Sequence, residues 1–242
     1  MIELVDFSKN YGKNCAVQNV SFTVQKGRIA CLLGVNGAGK STIIKAICGI
    51  HYPSGGTVLI EGISAEDQPI LAKQKIGYVA ENPQFYDFFT VEEFLHLMAN
   101  IKMPNLSKNQ QSEQAEIWAA RCGLAQVMQK KIKTLSKGYC QRLAFACALI
   151  NNPPVLVLDE PITGLDPVQI QEMRALIKSL ENEKTILLST HLMQEVEALC
   201  TDIFILANHK LAASGTKEEI LAQTNCQTLD QAFLQLNQNS TQ

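Results

Sequence analysis

The chain has 242 residues, 46% of them apolar, which suffices for one α/β domain or for two sub-domains sharing a core. With 21 Lys and Arg against 23 Asp and Glu the formal net charge is −2, so no basic face for nucleic acid is implied. The eight cysteines form no C-x-x-C pair, so they read as buried thiols of a reducing compartment, not as a metal or disulfide framework.

In chain order, residues 1–30 alternate apolar and polar, as in Val20-Ser21-Phe22-Thr23-Val24, and Gly12 and Gly27 mark turns. This pattern predicts short antiparallel strands. Arg28–Leu33 reads as a buried strand and Ser41–Cys48 as the helix after it, with the Gly-rich stretch Gly34–Gly39 between them. Pro53-Ser54-Gly55-Gly56 is a turn before a strand at Thr57–Ile60. From Thr90 to Lys131, Val91, Phe94, Leu95, Met98 and Ile101 recur at helical spacing, which predicts an all-helical insertion. Pro153-Pro154 ends it, and Val155–Leu158, Thr185–Ser189 and Ile203–Leu206 read as buried strands alternating with helices. Such alternation implies a mainly parallel sheet covered on both faces. Leu229, Phe233, Leu234 and Leu236 predict a short amphipathic helix in a Gln-rich tail that docks and then frays. Acidic residues near the N-terminus and apolar runs as short as Ile29–Leu33 predict a cytosolic chain that does not itself span a membrane.

Two motifs carry chemistry. Gly34-Val35-Asn36-Gly37-Ala38-Gly39-Lys40-Ser41-Thr42 fits G-x-x-x-x-G-K-[ST] between a strand and a helix. Glycines let the main chain approach a ligand, and their N–H groups form an anion nest at the positive end of a helix. The loop residues Gly34, Asn36, Gly37, Ala38, Gly39, Lys40, Ser41 and Thr42 are therefore expected to hold ATP phosphates. Lys40 would reach the β/γ-phosphates and the Ser41 hydroxyl would bind Mg²⁺. The second motif is Val155-Leu156-Val157-Leu158-Asp159-Glu160, a buried strand ending in two carboxylates. Asp159 is expected on Mg²⁺ and Glu160 as the base that positions the attacking water. As strand neighbours their side chains would point to opposite sides.

With Leu135-Ser136-Lys137-Gly138-Tyr139, Gly164-Leu165-Asp166-Pro167, Ser189-Thr190-His191 and the upstream Tyr11 added, the chain resembles the ATP-binding subunits of ABC transporters. The five-residue stretch is similar to the signature L-S-G-G-Q in the variant L-S-K-G-Y. The resemblance spans Met1 to about Ala222 and rests on six elements in the family's order. It implies adenine stacking by Tyr11, contact of Ser136, Gly138 and Asp166 with ATP held by a partner chain, and γ-phosphate contact by His191. Ser136 and Gly138 would form an exposed helix start. Glu81 stands where the family usually carries glutamine, as a candidate Mg²⁺ ligand.

The expected fold is α/β, a P-loop NTPase core with a mainly parallel sheet, an N-terminal antiparallel β subdomain and an inserted α-helical subdomain. The expected boundaries are 1–89 and 152–222 for the core, 90–151 for the helices with the signature, and 223–242 for the tail. The resemblance further implies an ATPase that binds ATP and Mg²⁺ and pairs as a homodimer or heterodimer. It would drive a membrane permease from the cytoplasmic face, on the model of ABC-2-type exporters, with no nucleic-acid partner. The aromatic segment Asn82–Thr90, with Phe85, Tyr86, Phe88 and Phe89, is either the permease dock or packing for the insertion. An ATP-gated clamp outside transport is disfavoured because only about 95 residues separate the phosphate loop from the signature, without a coiled coil. A binding module without turnover is disfavoured because Glu160 and His191 are both present.

Overall fold

The computed structural model describes residues 1–238. The alternation at the N-terminus produces β1 (Ile2–Tyr11) and β2 (Asn14–Val24), an antiparallel pair longer than the short strands expected. Asp6 and Asn19, at φ 49°, sit where the register shifts, so each strand bends through a bulge instead of ending. Asp and Asn tolerate that left-handed conformation better than other side chains do.

The apolar strand ahead of the Gly-rich loop is β3 (Ile29–Gly34), and α1 (Lys40–Ile47) follows the loop. Next come β4 (Gly55–Ile60), β5 (Ile63–Ser64), α2 (Pro69–Gln74) and β6 (Ile76–Val79). The helical insertion holds α3 (Val91–Lys102), α4 (Lys108–Arg121) and α5 (Lys137–Leu149), with two short 3-10 turns before α5. The chain then alternates through β7 (Val155–Asp159), α6 (Pro167–Ser179), β8 (Thr185–Thr190), α7 (Met193–Leu199) and β9 (Asp202–Ala207). It closes with β10 (Lys210–Gly215), α8 (Lys217–Thr224) and α9 (Leu229–Gln238).

The first sheet has the order β2-β1-β4-β5, antiparallel throughout. The second has the order β10-β9-β3-β8-β7-β6, and all its pairs are parallel except the edge pair β10–β9. Its inner strands are buried on both sides, which is why they read as unbroken apolar runs. On β7, Val155 and Val157 join the core shared with α1 and the antiparallel sheet, while Leu156 and Leu158 join the core beneath the helices. Because β3, β8 and β7 lie side by side and parallel, their C-terminal ends share one edge, where open α/β sheets place ligands.

The insertion is capped locally and tied to the sheet by a few polar contacts. Thr90 with Glu93, and Ser107 with Gln110, form capping boxes at α3 and α4. Trp118 is buried between the Arg121 guanidinium, 4.4 Å from its ring, and the buried Lys184 amine, 5.6 Å away. Arg121 also pairs with Glu183, so α4 is fastened to the segment just before β8.

Three sequence expectations need correction. Ile101 is 63% exposed; the inner face at the end of α3 is taken by Lys102, whose amine donates to Cys147 O at 2.8 Å. On α9 the inner positions are Leu229 and Ala232, with Phe233 and Leu236 packed alongside, whereas Leu234 is 57% exposed, five residues and thus a wrong helical phase from Leu229. Fraying beyond Gln238 lies outside the described residues. Of the eight thiols, Cys31, Cys48, Cys122 and Cys147 are buried, Cys140, Cys200 and Cys226 are half-buried, and Cys15, beside the β1–β2 turn, is exposed. Among the described residues no helix is long and apolar enough to cross a membrane.

Candidate functional site

The phosphate loop is shaped by glycine geometry. Gly39 caps α1 at φ 110°, and a Cβ there would lie 2.6 Å from Val17 Cγ2 and 2.8 Å from Ala16 O. Only glycine fits so close a passage between the loop and β2. The result is a cleft of about 290 Å³ at the sheet edge, walled by Asn36, Gly37, Gly39, Lys40, Ser41 and Thr42 from the loop and α1. Glu81 lines it from beyond β6, and Glu160, Thr163 and His191 line it from beyond β7 and β8. Gly34 is absent from this wall, and so is Ala38, which is buried beneath the loop.

Lys40 is buried, and its amine donates to Gly34 O at 2.6 Å and to Val35 O at 3.3 Å. Burial draws its pKa below the ordinary lysine value, and the carboxylates of Glu160, Asp159 and Glu81 oppose that shift. Of these acids only Glu160 and Glu81 share the wall of the cleft with Lys40.

The two motif carboxylates are separated by the backbone, not by strand alternation. β7 ends at Asp159, and Glu160 turns off the sheet at φ 47°. The expectation of strand neighbours facing opposite sides is therefore replaced by a turn that aims Glu160 into the cleft. Asp159 is buried and does not line the cleft; its Oδ1 accepts from Ser189 Oγ at 2.6 Å. The same Ser189 Oγ accepts from Glu160 N at 3.1 Å, so one hydroxyl fixes both acids. Glu160 Oε1 lies 3.0 Å from His191 Nδ1, and its Oε2 accepts from Thr163 Oγ1 at 3.2 Å. A carboxylate only accepts, so His191 carries its proton on Nδ1.

The signature residues stand elsewhere. Ser136 caps α5, its Oγ accepting from Tyr139 N at 3.5 Å, and Asp166 caps α6, accepting from Gln169 N at 2.9 Å. Ser136 is exposed, but Gly138 is buried: a Cβ there would meet the Gln169 side chain at 2.7 Å. Ser136, Gly138 and Asp166 line a second, wider hollow of about 740 Å³ that shares no residue with the phosphate cleft. Tyr11, 48% exposed, lies outside the walls of both. Sequence reasoning missed Ala16 and Thr163 in the cleft and Ser189 behind it. Thr163 and Ser189 sat inside or beside motifs already singled out, but nothing local marks Ala16.

Residues 17–163 match the model of the ABC transporter family. The chain belongs to this family. An uncharacterised ABC transporter ATP-binding protein of Nostoc sp. PCC 7120 is 39% identical over 214 residues, 88% of this chain. A probable multidrug ABC transporter ATP-binding protein of Escherichia coli, YbhF, is 36% identical over 98% of it. The chain spans only 63% and 41% of those two relatives' own length. Among solved structures, an ATP-binding subunit of an ABC transporter superposes with a TM-score of 0.88 at 31% identity, covering 98% of this chain and 99% of that one. The cassette MJ0796, solved as a dimer in a post-hydrolysis state with ADP and Pi, gives a TM-score of 0.80 at 26% identity over 89% of this chain and 98% of its own. The chain is thus an ABC ATP-binding protein with the P-loop fold of its relatives.

Proposed function

We propose that the chain hydrolyses ATP as one half of a pair and passes the energy to a membrane permease, in the direction of export. One observation carries the pairing: the phosphate cleft and the Ser136–Gly138–Asp166 surface occupy different hollows of the same chain. A helix start with a Ser cap and no phosphate of its own is completed by nucleotide held on a second chain. The solved MJ0796 dimer supports this arrangement.

Within the cleft the backbone N–H groups of Asn36 to Thr42 and the Lys40 amine receive the phosphates, and Tyr11 stacks on the adenine. Ser41, Asp159 and Glu81 offer only oxygen donors, the set that Mg²⁺ takes. Among the described residues no cluster of three or more His, Cys, Asp or Glu could cage a metal alone, which fits an ion that arrives on phosphate oxygens. Bound there, Mg²⁺ would offset phosphate charge. Glu160 accepts a hydrogen bond from the attacking water and polarises it, and its contacts with His191 and Thr163 hold the carboxylate in place.

The permease docks beside Glu81, on Tyr86 and Phe88, which are 58% and 68% exposed. Phe85 and Phe89 have the other role weighed for them: both pack on Phe94 of α3. The likeness to YbhF, a probable multidrug ABC transporter ATP-binding protein, supports export. The protein then works at the cytoplasmic face of a membrane, with residues 90–151 as a helical unit moving against the core of 1–89 and 152–222. The test is light scattering of a Glu160→Gln chain in saturating MgATP, with and without Ser136→Glu. Dimers are expected only when Ser136 is intact; dimers that persist in Ser136→Glu overturn the pairing through this surface.

A further inference from the structure

His51 lies four residues beyond the end of α1, outside every motif so far described. Its Nε2 is 2.7 Å from the hydroxyl of Tyr11, forty residues away in sequence, and the two rings meet edge to face at 5.7 Å. The other ring nitrogen, Nδ1, is buried and has no hydrogen-bond partner among the described residues, so Tyr11 is the imidazole's one side-chain anchor. Lys9 completes the arrangement: its amine donates to Tyr52 O at 2.6 Å and stands 5.4 Å from the centre of the Tyr11 ring. The hydroxyl edge of Tyr11 is thus held by His51 and one ring face is covered by Lys9, leaving one face for a planar ligand.

We infer that His51 is a positioning residue for the nucleotide base, fixing through Tyr11 the ring on which adenine stacks. This rests on the proposed stacking role of Tyr11. The physical case is preorganisation. Tyr11 is half exposed at the end of β1, where little packing selects a rotamer. A ring that must be ordered when nucleotide arrives charges that cost to affinity; a ring already pinned at its tip does not. Burial first, then the neighbouring charges of Lys9 and Lys45, hold the imidazole below its ordinary pKa, so the imidazole is neutral near pH 7.5.

The test compares ADP, which carries the base and is not turned over, with pyrophosphate, which lacks the base. Both are titrated by calorimetry into the parent, Tyr11→Ala, Tyr11→Phe, His51→Ala, His51→Gln and the Tyr11→Phe/His51→Ala double variant. His51→Ala is expected to weaken ADP roughly fivefold, the scale of ordering one side chain, and to leave pyrophosphate unchanged. Tyr11→Phe, which removes only the hydroxyl, should lose the same factor, and the double variant no more than either single one. His51→Gln, whose amide can reach the hydroxyl, should restore ADP affinity to within about twofold. If Tyr11→Ala weakens ADP and His51→Ala does not, Tyr11 stacks unaided and the inference fails alone. If Tyr11→Ala leaves ADP unchanged, the stacking role falls and the inference with it. Equal losses for ADP and pyrophosphate in His51→Ala, multiplying losses in the double variant, or no rescue by Gln would each overturn it, since each assigns His51 a role other than holding Tyr11.

Discussion

Replacing Glu160 by Gln isolates the chemical step. The two carboxylate oxygens take one donor each, His191 Nδ1 at 3.0 Å and Thr163 Oγ1 at 3.2 Å. Glutamine keeps one oxygen for the first, and the Thr163 hydroxyl can rotate to accept from the new amide, so both contacts survive in altered sense. The backbone stays as it is, because Gln meets the φ 47° turn no differently from Glu. Stability should therefore change by less than about 1 kcal/mol, the net worth of one hydrogen bond. The negative charge that polarises the water is lost entirely. A general base typically supplies about 10²-fold or more, roughly 2.7 kcal/mol of barrier. We expect turnover to fall by at least that factor with nucleotide affinity nearly unchanged, since the lost interaction belongs to the transition state. Asp159→Asn should differ: its Oδ1 can still accept from Ser189, but the charge that would attract Mg²⁺ is gone, so excess Mg²⁺ should recover part of the rate. Steady-state phosphate release beside ADP affinity measures all of this. A Glu160→Gln chain that turns over at close to the parent rate refutes the assignment and leaves His191 as the group that organises the water.

Three further outcomes follow from the geometry. Gly39→Ala should weaken ADP by more than tenfold, about 1.4 kcal/mol or more, because alanine at φ 110° is strained and its Cβ strikes Val17 and Ala16; calorimetry with unchanged affinity would contradict this. Trp118→Ala should cost about 3–5 kcal/mol of stability in urea titrations, the usual loss for a buried Trp, because it also strips the packed face from Lys184 and Arg121. His51 sets a pH dependence whose sign is fixed. Its pKa is lowered from 6.5 in the fold, so the unfolded chain binds the proton more readily, and stability present above pH 6.5 is lost as pH falls below it. The urea midpoint should accordingly drop less between pH 7.5 and 5.5 in His51→Gln than in the parent; an equal drop would deny His51 this part.

What was legible in the sequence was what is local. The run from β3 through the glycine loop to α1 is specified by residues in direct succession, and so is the apolar strand that delivers Asp159. Where a partner lies far along the chain, the pattern is silent. The bulges at Asp6 and Asn19 look like strand breaks until the opposite strand is in view. Ile101 has helical phase but no neighbour to bury it, and Lys102 finds the end of α5 instead. Val155 to Glu160 reads as one strand, because nothing in Asp-Glu-Pro announces that the backbone turns left-handed at Glu160. The Tyr11–His51 contact joins a residue of the family pattern to one forty positions on that no motif contains, and the Ser189 hydroxyl meets both acids only because β8 lies beside β7.

The separation of the two hollows on one chain also has a genetic reading. On the proposed pairing, a chain damaged only at Ser136 keeps its own phosphate cleft sound and disables the one facing it. Mixed with an equal amount of parent protein, such a chain leaves about a quarter of the pairs with both sites intact if the chains assort at random. About half of the pairs keep one whole site, so the defect would be dominant wherever work on the permease needs both. A Lys40 lesion placed in the same chain as the Ser136 lesion would instead spread the damage: in each mixed pair the parent's cleft faces the damaged signature and the parent's signature faces the damaged cleft, so neither site is whole.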